Sequence, residues 1–399
     1  MKLSKTTTRT ALSLLALLII CVSIYAFHRA PEVKYLQSGV ADSKYETAKV
    51  LKIVDEQLEQ SPDQLNLRTG TQQLEVKILS GEHKGEVRSV TNYVSLYNHN
   101  IFKAGSTAVV NVDTASTKEY EVFVYSNYKA PVILGLVLLF FAALWAVGGK
   151  KGLLSVLGII FTFACIVYLF IPMIYRGYSP ILAAVLIVIL ATFVTLVLLN
   201  GWSSKTWSAI VGTMIGVTVA GLIAYIAGNM AHITGYNIDS GESLVTISHN
   251  TGLQLKDLLF AGILLASLGA MMDVSISIAA AVHEVYLASP NIGKKALYLA
   301  GLNVGRDMMG TMASTLILAF TGSALSSLII IYALRTSIAQ MLNMNLIGIE
   351  VILGMSGCIG IVLLVPAVAF VSSRIIPKYE KLPAAVTPGA EKLQVSGQL

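Results

Sequence analysis

Hydrophobic and polar positions along the chain fall into three patterns. Met1–Thr10 carries Lys2, Lys5 and Arg9, and Ala11–Phe27 then forms an apolar run of 17 residues. A basic start before an apolar run fits a cleaved signal peptide or a membrane anchor. Ile24-Tyr25-Ala26 makes a poor cleavage box because Ile24 is not small, which favours an uncleaved anchor. Residues 28–130 alternate in strand fashion. They predict strands at Glu46–Val54, Gln72–Leu79, Glu86–Thr91, Ser106–Asp113 and Tyr120–Tyr125, with turns at Ser61-Pro62-Asp63, Gly81–Gly85 and Lys103–Ser106. Five short strands with glycine-bearing turns suggest a small barrel of the oligonucleotide/oligosaccharide-binding (OB-like) type. From Pro131 onward, apolar segments recur at 131–148, 153–173, 181–199, 208–228, 258–282, 307–334 and 346–373. Each is long enough to cross roughly 30 Å of hydrocarbon at about 1.5 Å per residue, the first only just.

Loop charges orient these spans. With the N-terminus in the cytoplasm, Lys150, Lys151, Lys205, Lys294, Lys295 and Arg306 fall on the inner side, as do Arg374, Lys378 and Lys381 after the last span. Arg29, Lys34, Arg176, Lys256 and Arg335 fall outside or at the outer interface, so the short inner loops win the cation count, in keeping with the positive-inside bias. The expected fold class is therefore a polytopic α-helical membrane protein with about eight transmembrane helices. A small extracytoplasmic all-β barrel is inserted after the first helix. The parts are residues 1–27 (cytoplasmic N-terminus and anchor), 28–130 (β domain), 131–375 (seven-helix domain) and 376–399 (a cytoplasmic, disordered tail). Composition agrees: of 399 residues, 55% are hydrophobic and 13% charged, with a mean hydropathy of +0.72. A soluble domain carries about 25% charged residues. The net charge of +6 sits largely at segment ends, so nucleic-acid binding is not expected. Cys21, Cys165 and Cys358 all lie in apolar runs without disulfide or metal spacing, and neither metal nor cofactor is expected. His83 and His99 read as solvated loop residues. No GxxxxGK[ST], HExxH or GxSxG pattern occurs, so a conventional enzyme is not expected.

Two spans differ from the aliphatic rest. On a helical wheel, Gly262, Ala266, Gly269, Asp273, Ser277, Ala280 and Glu284 lie within about 40° of one line. In the following span Asn303, Asp307, Gly310, Ser314 and Thr321 share a second line, with Arg306 and Thr311 beside it. Small residues let helix backbones approach closely in lipid, which makes Gly262, Gly269, Gly310 and Ser314 candidate packing positions. Asp273 lies roughly 22 Å into its span and needs a partner, water or a proton there. Three readings stand: an ion pair with Arg306, a titrating or substrate-contacting carboxylate, or a residue at the cytoplasmic interface. Asp273, Arg306 and Asp307 together suggest a buried charge cluster. Asn303, Ser277, Glu284 and Glu350 are further transport or ion-coupling candidates, and His283 points off the seam toward the interface. Met308–Leu334 is 27 uncharged residues, longer than one straight span needs, and Thr321-Gly322-Ser323 interrupts it. Such breaks occur where backbone lines a cavity or is covered by protein, as in transporters.

The stretch Leu268-Gly269-Ala270-Met271-Met272-Asp273-Val274-Ser275-Ile276-Ser277, followed by Gly301-Leu302-Asn303-Val304-Gly305-Arg306-Asp307-Met308-Met309-Gly310-Thr311-Met312, resembles the YibE/F-like bacterial membrane proteins. Gly354–Ile361 with Val365-Pro366 is similar to that family's last helix, although Met355 and Cys358 depart from it. The N-terminal anchor and barrel resemble the arm of the longer, YibE-type members. The resemblance implies a polytopic protein of the bacterial cell membrane, a supposed role in transport or export, and the same Asp273 and Arg306-Asp307 positions.

The expected function is a secondary transporter or exporter of an unknown small solute or ion. The alternative is a non-transporting membrane assembly or scaffold protein for a cell-envelope complex; the expected partners besides the bilayer are another membrane protein or a homo-oligomer. A sensor coupling barrel binding to helix movement is the third option. No catalytic residue is expected.

Overall fold

The computed structural model describes residues 43–60, 67–114, 120–233, 241–255 and 257–380. The expected anchor at 11–27, the turn Ser61-Pro62-Asp63 and the tail beyond Glu380 lie outside the described residues. The chain forms two compact units, whose boundary falls between Ala143 and Leu144.

The first unit is built on an antiparallel sheet: β1 (Ser43–Gln60), β2 (Arg68–Ile78), β3 (Val87–Val94), β4 (Thr107–Asp113) and β5 (Glu121–Asn127). Four strands match the expected positions closely, while β1 runs well beyond its expected ends. The spatial order is β3-β2-β1-β4-β5. β1 reaches both neighbours by bending at two irregularities, between Val50 and Lys52 and between Ile53 and Asp55; bulges of this kind increase local twist. Alternate residues point inward: Ala48, Val50, Leu74, Val76, Val90, Val110 and Val112 form the core around fully buried Phe102. No hydrogen-bonded ladder joins β3 to β5 among the described residues, so the sheet is a half-barrel rather than a closed one. Side chains bridge that gap. Arg88 Nε donates to the Tyr120 hydroxyl at 2.9 Å, and Tyr120 in turn donates to Glu86.

From Ala130 onward the chain is helical. α1 (Ala130–Cys165) continues through a π-helical turn at Ile166–Phe170 into α2 (Ile171–Tyr175), 46 residues in all. Gly149 divides this length where the sequence separates two spans: its φ of 54° and ψ of −131° are not helical. Gly152 consequently backs onto the Leu144 carbonyl, a contact impossible in a straight helix. There follow α3 (Pro180–Asn200), α4 (Ser204–Met230), α5 (Gly241–Thr251), α6 (Leu258–Ala288), α7 (Lys294–Ser323), α8 (Leu325–Ala333), α9 (Ile338–Leu342) and α10 (Asn345–Tyr379). Among the described residues, five helical stretches are long and apolar enough to cross a membrane. The number is six if α7 and α8, bent by 61° at their junction, count as one span. The break lies beside Thr321-Gly322-Ser323, as expected. The start does not match: helix α7 begins at Lys294 rather than at residue 307, because a helix does not stop where hydrocarbon does.

α10 is the central helix, packed by α4, α6 and α7. Glycines make these crossings close. Gly212 and Gly216 of α4 lie against Val368 and Leu364, and a Cβ at Gly360 of α10 would stand 2.6 Å from the Ala220 Cβ. Small-residue spacing of this kind gives van der Waals contact between backbones in lipid.

Candidate functional site

Helices α6 and α7 pack antiparallel, and three contacts set their register. A Cβ on Gly301 would meet Val282, one on Gly305 would meet Ile278, and one on Gly357 would meet both Ser267 and Leu316. In this register Asp273 is level with Gly310. Arg306 is level with Ser277, about one turn or 6 Å nearer the His283 end.

The inward face of α6 is aliphatic. Leu264, Leu268, Met271, Val274, Ile278 and Val282 are almost completely buried. The small-and-polar seam is therefore turned outward: Gly262, Gly269, Asp273 and Glu284 are exposed, and Ser277 is half-buried. The seam of α7 does the same, with Asn303, Arg306, Asp307, Gly310 and Ser314 all exposed. This overturns two expectations. Gly262, Gly269 and Gly310 have open space where a Cβ would stand, and Ser314 is exposed, so they do not pack helices within the chain. On α6 large side chains, which bury more apolar area than small ones, take the packed face, while α7 packs through Leu297, Gly301, Gly305 and Leu316. The expected buried cluster is absent as well. Among the described residues no hydrogen bond or ion pair joins Asp273, Arg306 and Asp307. The three share one open face instead.

Glu350 and Glu284 also leave the cluster. Glu350 lines a separate cavity of about 150 Å³, with Phe320, Thr321, Ala324 and Gly354, at the bend between α7 and α8. Gly357 on α10 faces Ser267 on α6, which puts Glu350 about 20 Å along the bundle from Asp273. Glu284 sits at the other end, 3.7 Å from His283 Nδ1.

His283 is more embedded than an interfacial residue would be. Its Nε2 lies 3.3 Å from Glu380 Oε1, and Ser204 Oγ donates to Glu380 Oε2 at 2.5 Å. These contacts tie together the ends of α4, α6 and α10. The Ser204 hydroxyl and then His283 hold the Glu380 carboxyl below its usual range. Beside this knot, Trp202, Ser203, Trp207, Ile375 and Tyr379 line an open cavity of about 680 Å³. In the β unit, His83 likewise differs from a solvated loop residue. It stacks on Tyr120 with ring centroids 3.7 Å apart and contacts Glu86 at 3.3 Å. Hydrogen bonds from Tyr120 and His83 keep the Glu86 carboxyl below its usual range. Neither cluster has a local signal in the sequence, because each joins residues far apart in the chain. The packing glycines of α4 did have one: Gly212, Gly216, Ala220, Ala224 and Gly228 recur every four residues.

The two turns of polar seam and the half-barrel can be compared with known families. Residues 136–378 match the YibE/F-like protein family, and residues 34–126 match the YibE/F family N-terminal domain. The chain belongs to the YibE/F-like family. No curated protein and no solved structure matches it. The α6 and α7 seams of this YibE/F-like chain lie wholly inside the longer matched region. Its described residues hold no group of three or more His, Cys, Asp or Glu side chains suited to a metal ion.

Exposed charge on a membrane helix has an energetic consequence. On insertion scales Asp or Arg near a helix centre costs about 2.5–3.5 kcal/mol when it faces lipid. Asp273 is the middle residue of α6. A face of this kind is stable in a membrane where it meets protein or water rather than lipid.

Proposed function

We propose that this protein is a secondary transporter or exporter of the cell membrane whose path runs along the α6/α7 face. The observation that carries this reading is the gathering of Asp273, Asn303, Arg306 and Asp307 on one exposed face of the α6/α7 pair. In this reading Asp273 takes up and releases the coupling proton or cation. Arg306 neutralises it in one conformation, and Asp307 competes for Arg306. The bend between α7 and α8 supplies a flexible gate near Glu350. Eight spans place both termini in the cytoplasm and an OB-like β domain outside. The strand neighbours β3-β2-β1-β4-β5 and the side-chain bridge between β3 and β5 support the OB-like assignment.

Reconstitution into vesicles containing a pH-sensitive dye, screened over a broad solute panel, tests the proposal. Solute-dependent proton movement is expected from the native chain and not from Asp273→Asn. Full flux from a folded, inserted Asp273→Asn protein would remove the coupling role. The openness of the α6/α7 face on a single chain favours a second reading, a membrane scaffold that docks a partner helix. Failure of every solute, together with a partner bound at Gly269 or Gly310, would select it.

A further inference from the structure

We infer that the α6/α7 face is closed by the same face of a second copy of this chain. The inference rests on the reading of that face as one that does not meet lipid. The exposed faces of the neighbouring helices show what a lipid-facing surface looks like here: Leu182, Leu186 and Ile189 on α3, and Val351, Ile359 and Val362 on α10. The exposed positions on α7 are instead mixed, with Asn303, Arg306, Asp307, Thr311, Ser314 and Thr315 beside Leu299, Ile317 and Leu318. The α6/α7 side pairs charge and hydroxyl groups with open glycines, Gly262, Gly269 and Gly310.

The occupant must answer both an acid and a base at membrane depth. The chain's other apolar segments cannot. Residues 11–27 and 130–148 contain no charged side chain. A second copy can, because the face is self-complementary. A two-fold axis along the membrane normal brings equal levels opposite each other, as isologous dimers require. Arg306 of one chain then meets Asp307 of the other, and Asp273 lies one turn away. The open glycines allow the close backbone approach that such pairing needs.

Single cysteines introduced into a background with Cys21, Cys165 and Cys358 replaced by Ala test this in native membranes. Gly310→Cys and Ser314→Cys are expected to give an oxidatively cross-linked species of twice the 42.6 kDa chain mass. Leu186→Cys and Val362→Cys are expected to stay monomeric. Co-expression of differently tagged chains supplies a second readout. Arg306→Asp should cut co-purification at least tenfold, and pairing that chain with one carrying Asp307→Arg should restore it. Monomeric Gly310→Cys and Ser314→Cys proteins, equal cross-linking at the aliphatic positions, or capture of a different protein would each overturn the inference. Dimers without solute movement would leave it standing and remove the transport reading. Asp273-dependent flux in a chain that stays single would do the reverse.

Discussion

Adding one methyl group at Gly360 should loosen the centre of the helical unit. An alanine Cβ there would stand 2.6 Å from the Ala220 Cβ and 3.3 Å from the Gly216 carbonyl oxygen. Carbon atoms in contact prefer about 3.5–4.0 Å. The Met271 methyl, also in the way, can swing aside, but Ala220 and Gly216 are fixed to the α4 backbone. α4 and α10 must therefore separate by about 1 Å, a gap that forfeits a quarter to a half of the dispersion along the contact. Overpacking of this kind costs about 1–3 kcal/mol, offset in part by about 1 kcal/mol of helix propensity that Ala gains over Gly. Gly310→Ala and Gly262→Ala meet open space and should keep the propensity gain whole. Thermal unfolding of detergent-solubilised single chains, followed by loss of the monodisperse size-exclusion peak, separates the cases. Gly360→Ala is expected to unfold several degrees below the native chain, with the two open-face variants at or above it. A Gly360→Ala protein as stable as the native one would refute the close crossing.

Two further perturbations address the β unit and the helix ends. Gln72 is fully buried, accepts from Phe102 N at 3.0 Å and Asn92 Nδ2 at 3.1 Å, and donates to Phe102 O at 3.1 Å. Gln72→Leu leaves those groups unanswered and should cost about 1–3 kcal/mol, read as faster amide hydrogen exchange at Phe102. Glu380 is held below its usual pKa of 4.5 mainly by Ser204. Its contribution to stability is therefore complete above that value and lost as pH falls through the lower folded-state value. Unfolding temperature should change little through this group from neutral pH down to that usual value and fall as the pH drops further. Glu380→Gln should flatten that acid limb, and an unchanged limb would exclude the Ser204–Glu380–His283 knot.

Much of the architecture was legible because it is local. Alternation at Leu74, Val76 and Ile78 marked β2 before any partner was known, since side chains in a strand point to opposite faces in turn. Gly81 and Gly105 marked turns, and both adopt positive φ, 78° and 86°. The break after Thr321-Gly322-Ser323 was legible for the same reason. The knots around Glu380 and Tyr120 were not, because they join residues that only the folded chain brings together.

The seams of α6 and α7 show where the sequence stops. A period of 3.6 residues establishes that Gly262, Gly269 and Asp273 share one face of α6, and that Asn303, Asp307 and Gly310 share one of α7. It does not say which way that face turns. Only the tertiary structure decided that, through competition for the interior. Leu264, Leu268, Met271 and Ile278 on the opposite face of α6 fill the space against α4 and α10, and glycines at 301, 305, 357 and 360 let those backbones close. The charged seam is left outside because the packed side had more apolar surface to bury.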